Sequence, residues 1–156
     1  MAIITAVVFG VILGSSAALT RNHLPDRLII FLSTLISALP SFVLASLLLL
    51  AFCIKLKWIP VWNPKNPNYI LPVISLAAYP MAYITRLTKT SMLDAMGQDY
   101  VRTAKAKGVA SWKVLFKHAL RNALIPVVTY VGPMIASILT GSLVIEKIFT
   151  IGGLGS

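Results

Sequence analysis

Four apolar runs set the pattern of this chain, at 2–19, 28–54, 69–85 and 122–145, with short polar or basic stretches between them. None of the four contains Asp, Glu, Lys, Arg or His. A hydrocarbon layer about 30 Å thick is crossed by roughly 20 residues of helix rising 1.5 Å each. The runs therefore read as four membrane-spanning helices, and the fold class as all-α, a polytopic transmembrane helical bundle. The first and third runs are short for a span, while the second and fourth have length to tilt or kink. Pro40, Pro72, Pro80, Pro126 and Pro133 lie within or at the ends of the runs. Bilayer helices tolerate proline there because neighbouring helices satisfy the carbonyls it frees.

Composition agrees with that reading. Of the 156 residues, 58% are hydrophobic and 12% charged, about half the charge a soluble domain carries. A water-soluble globule with so little charge would expose very large apolar patches, and the apolar content is too high for disorder. The net charge of +10 does not mark a nucleic-acid partner, because the cations sit in short segments between the apolar runs. Arg21 and Arg27 follow the first run, and eight more Lys and Arg lie in 86–121. These ten share one side of the membrane, against Lys55, Lys57, Lys65 and Lys147 on the other. The excess assigns 86–121 to the cytoplasm. Trp58, Trp62 and Tyr69 flank the opposite loop as an interfacial belt, and Pro60, Pro64 and Pro67 keep that loop from being helical.

Little soluble chemistry is written in the chain. Cys53 lies inside an apolar run and reads as a small hydrophobe. His23 and His118 lack the Cys, Asp or Glu neighbours of a metal site. No glycine is followed by lysine, so the phosphate-cradling loop of P-loop ATPases is absent. No metal, cofactor or catalytic residue is assigned, the chain is not read as an enzyme, and if it moves anything uphill the energy comes from another subunit. Runs without ionisable residues weigh against a proton-coupled carrier, a voltage sensor or an ion pump. Gly10 with Gly14, Ser33 with Ser37, and Gly132 with Ala136 place small residues on one helix face, as close helix packing requires.

The segment 86–121, RLTKTSMLDAMGQDYVRTAKAKGVASWKVLFKHALR, is too long and too patterned for a plain connector. Val101 and Ala104, then Trp112, Leu115, Phe116, Ala119 and Leu120, recur at helical spacing. Gly108 divides the segment into two short helices, and Ser111 is placed to cap the second. Read from pattern alone, it is either a basic amphipathic helix on membrane lipid or a helix–Gly–helix element seated in a partner's groove.

The run Tyr100–Gly108 (YVRTAKAKG), the run His118–Pro126 (HALRNALIP), the ending Leu139–Gly155 and Leu39-Pro-Ser-Phe42 together resemble the permeases of bacterial ABC importers. More narrowly, the chain resembles the first permease subunit of the dipeptide, oligopeptide and nickel branch, in register over essentially its whole length. The resemblance implies that the segment is a coupling helix seated in a cleft of an ATPase subunit. Arg102, Thr103 and Ala104 stand where the general loop pattern has Glu-Ala-Ala, with Lys105, Ala106 and Lys107 leading to Gly108 at the pattern's glycine. Trp112, Leu115, Phe116, His118, Ala119 and Leu120 complete the implied ATPase-coupling surface. Arg121 stands at the pattern's later proline, and Gly152 replaces a proline common in the branch's ending. The implied partners are a homologous second permease subunit, two ATPase subunits and an extracellular substrate-binding protein. The implied place is the bacterial inner membrane and the implied solute a peptide, with nickel as the alternative. Members of the branch are longer and carry more spans, so the chain reads as part of such a permease. The competing expectation is a non-transporting remnant or a membrane interaction protein.

Overall fold

The computed structural model describes residues 1–151. The end of the last motif, from Gly152 on, lies outside the described residues. Among those described, the regular structure is helical, apart from an isolated bridge between Asn63 and Asn66. The helices are α1 (Ala2–Leu19), α2 (Leu24–Ala38), α3 (Ser41–Leu48), α4 (Ile70–Gly97), α5 (Asp99–Ala106), α6 (Ser111–Lys113), α7 (Arg121–Ala123) and α8 (Ile125–Ile148). Wide π-helical turns at Leu49–Lys55 and Val114–Leu120 extend α3 and join α6 to α7. Three helices, α1, α4 and α8, are long and apolar enough to cross a membrane, or four spans if the bent pair of α2 and α3 counts as one.

Two of the expected runs take a different form. The run 28–54 is not one helix, because α2 and the helix that begins at Ser41 meet at 105°. Pro40 explains the break. It offers no N–H to α2 and forces Leu39 out of the helical region, to ψ 132°. The run 69–85 continues as helix through Gly97, making α4 28 residues long, roughly 42 Å at 1.5 Å per residue. The first third of the expected loop is therefore a rigid extension of a membrane helix.

Helix α4 is the axis on which the others pack. Its closest neighbour is α1, which presents Ala2, Ala6, Gly10, Gly14, Ala17 and Ala18 as a buried face of small side chains. A Cβ on Gly10 would lie 2.7 Å from the Ile84 side chain, and one on Gly14 2.5 Å from the Thr85 carbonyl oxygen. Backbone approach of this kind is what drives helix association where water cannot. The contacts advance together along both helices, so α1 and α4 run parallel, while α2 and α8 return beside α4 in the opposite sense. Three apolar clusters stack along α4. Met92 and Ala95 anchor the first, Ala77 and Ile84 the second and Leu71 the third. Helix α8 contributes Val127, Met134 and Ile145 to this core, but Gly132 and Ala136 on it are exposed, and nothing lies within 4 Å of a Cβ built on Gly132.

Candidate functional sites at the basic end and at the helix break

At the basic end, the segment after α4 is folded onto the membrane helices. Val101 and Ala104 of α5 turn inward to meet Ala18, Met92 and Ala95, and Val114, Ala119 and Ala123 close the same cluster from the returning chain. Arg102, Thr103, Lys105, Ala106 and Lys107 remain exposed on the outer face of α5. Gly108 ends that helix at φ +74°. Its N–H donates to the Lys105 carbonyl at 3.0 Å, and the Val109 N–H donates to the Ala104 carbonyl at 3.2 Å. This pair of bonds is a Schellman cap, which needs a left-handed residue where Gly108 stands.

The second half departs from its expected register. Ala110 takes the capping position with no side-chain cap bond, and Ser111 is the first helical residue. Through the π-helical turn the buried residues are Val114 and Ala119, five apart, as wider turns dictate. Trp112 and Phe116, placed on the buried stripe by a regular helical period, are instead 62% and 57% exposed. Leu115, His118 and Leu120 are half-buried. Ala104 and Ala119 thus belong to the chain's own core. The Lys113 ammonium lies 5.4 Å from the centre of the Trp112 ring. Leu19, Met96, Val101, Lys105, Trp112 and Leu115 line a shallow recess of about 280 Å³. The presented surface is therefore a cationic helix face beside two exposed aromatic rings.

Charged groups missed by pattern reading tie α2 to α4. Lys89 pairs with Asp26, which is 4% exposed and also accepts the Asn22 N–H at 3.0 Å. One turn further in, Arg86 Nη1 donates to the Ser37 hydroxyl at 2.8 Å and to the Ser33 carbonyl at 3.2 Å. Counted only as cations for sidedness, Arg86 and Lys89 gave no sign of these partners. The available signal is spacing. Arg86 and Lys89 share a face of α4, and Asp26, Ser33 and Ser37 share a face of α2.

The break after α2 borders an open cavity of about 420 Å³ between α2, α3, α4 and α8. Its walls carry the hydroxyls of Ser37, Ser41, Ser75, Tyr79 and Ser137, with Pro40 at the corner. Among the described residues, no cluster of three His, Cys, Asp or Glu side chains forms a metal-binding group.

A bundle of apolar helices with a cationic element fixed to one end defines a polytopic helical membrane protein. Residues 10–156 match the family described as binding-protein-dependent transport system inner membrane component, and the chain belongs to that family. It is 50% identical over 155 residues to the dipeptide transport system permease protein DppB of Bacillus subtilis, covering 99% of this chain and 50% of that relative. It is 45% identical over 153 residues to the oligopeptide transport system permease protein OppB of Haemophilus influenzae, covering 96% and 50%. It is 43% identical over 151 residues to the glutathione transport system permease protein GsiC of Escherichia coli, covering 96% and 49%. The chain thus spans about half the length of these curated relatives.

Proposed function

We propose that this chain forms part of the membrane-spanning permease of an ATP-driven importer that carries peptides across the inner membrane. Its partners are a second permease subunit, two ATPase subunits and an extracellular substrate-binding protein. The relatives above are named for dipeptides, oligopeptides and glutathione, which favours a peptide over nickel as solute.

One observation carries the coupling role. The segment after α4 is joined through a common core to α1 and α4, with Ala18, Met92, Val101 and Ala119 in mutual packing. Close-packed interiors transmit displacement instead of absorbing it. A push on the exposed face of α5 by an ATPase closing on ATP is therefore carried into α4, whose length reaches through the bilayer. Arg102, Lys105 and Lys107 supply rim charges, and Trp112 and Phe116 supply the apolar anchors that interfaces favour. The chain itself performs no hydrolysis in this scheme.

Uptake of a labelled dipeptide by cells carrying the complete transporter tests this. The combined substitution Arg102→Glu with Gly108→Pro is expected to abolish ATP-driven uptake while the chain still reaches the membrane. Undiminished uptake would exclude the coupling role.

A further inference from the structure

We propose that the cavity at the α2–α3 break is a station for the peptide solute, in which the wall hydroxyls take main-chain amides and Arg86, standing behind the wall residue Ser37, takes a carboxylate at the cavity's edge. This rests on the peptide-importer reading and adds a site to it. Irregular backbone at membrane depth is stable only where protein buries it or where it lines a polar hollow. The turn at Leu39–Pro40 does the latter, since both residues border the cavity.

The walls are chemically specific. Ser41, Tyr79 and Ser137 bring hydroxyls that can donate and accept, Ser37 and Ser75, whose hydrogens go to the Ser33 and Leu71 carbonyls, bring acceptors, and no charged side chain lines the space. Such a lining suits amides and is indifferent to solute side chains. A volume near 420 Å³ falls within the usual range of small-ligand sites, which accommodates a short peptide or the carboxyl end of a longer one.

Arg86 supplies the polarity. Its guanidinium is half-buried, and its acceptors, the Ser33 carbonyl and the Ser37 hydroxyl, are both neutral and both reached through Nη1. Among the described residues no carboxylate pairs with it, whereas Lys89 one turn away has Asp26. A partly desolvated cation without a counter-ion favours an anion in reach. The Ser37 hydroxyl both accepts from Arg86 and lines the cavity, so the guanidinium stands one hydroxyl away from the solute space. Its planar fork suits a carboxylate.

The test uses Ser41→Cys as a reporter in the cavity wall, with Cys53→Ser removing the native thiol, and the chain held in lipid nanodiscs. Thiol labelling is timed with trialanine and with trialanine amide, which lacks the carboxylate. Trialanine is expected to slow labelling several-fold more than its amide. That preference should vanish with Arg86→Gln and persist with Arg86→Lys. Ser137→Phe, which fills the cavity without touching Arg86, should remove protection by both. Equal protection by acid and amide, or a preference that survives Arg86→Gln, would overturn the carboxylate site. Uptake of trialanine by the complete transporter is scored in parallel. Uptake without any protection at Ser41→Cys overturns the site and leaves the importer reading standing, whereas absence of both overturns the two together.

Discussion

A methyl group on Gly14 would meet the Thr85 carbonyl oxygen at 2.5 Å and the Thr88 Cβ at 2.6 Å, whereas one on Gly132 would meet nothing within 4 Å. Both glycines come from the same sequence signal, a small residue repeated after four, yet only the first is pressed against another helix of this chain. Gly14→Ala is therefore expected to lower the detergent melting temperature, at a cost of about 1–3 kcal/mol for overpacking. Gly132→Ala should leave it unchanged or raise it slightly, since glycine inside a helix costs about 0.5–1 kcal/mol relative to alanine. The spacing was legible, but the partner was not, because spacing describes one helix and a contact needs two. The Asp26–Lys89 pair teaches the same lesson. Lys89→Met strands the nearly buried Asp26 carboxylate and should destabilise the chain by about 3 kcal/mol, with much of the loss restored by Asp26→Leu in the same chain. A melting-temperature cycle over the four variants measures both effects.

Among the elements, proline illustrates why boundaries resist sequence reading. Pro40 ends α2 and turns the chain by 105°, while Pro80 and Pro133 sit inside α4 and α8 without ending them. The residue type is the same, and what differs is whether the surrounding packing favours a continuous helix. The π-helical turn at Val114–Leu120 is a second case. A period of 3.6 residues selects Trp112, Leu115, Phe116, Ala119 and Leu120, but the wider turn buries Val114 with Ala119 and releases Trp112 and Phe116. This register makes opposite demands at neighbouring positions. Trp112→Ala and Phe116→Ala are expected to change stability by no more than about 0.5 kcal/mol, whereas Ala119→Asp should prevent folding by placing a charge in the core. Protease resistance of the three variants in detergent separates the two registers. Gly108, by contrast, was legible in place, and the structure adds the reason for glycine there, a helix end at φ +74° with nothing packed against it.

At the scale of the whole molecule, the apolar runs without ionisable residues established a helical membrane protein before any packing was known. The count of Lys and Arg placed 86–121 and the turn after the first run on one side, and in the fold those segments do meet at one end of α4, around Ala18, Met92 and Val101. The hydroxyls of Ser37, Ser41, Ser75 and Ser137 were legible as polar groups within apolar runs, but their assembly around one cavity was not, because it takes four helices distant in sequence. In the proposed coupling role, α5 and the aromatic pair form a docking surface whose shape depends on the turn at Gly108. Its most direct test is recovery of the ATPase with the tagged chain from detergent, after co-expression with the second permease and the ATPase subunits, comparing wild type with Gly108→Pro. Proline is barred from the positive φ at that position. The ATPase should copurify with the wild-type chain and be lost from the variant. Equal recovery with both, or recovery with neither, would contradict the claim that this segment couples the membrane helices to an ATPase.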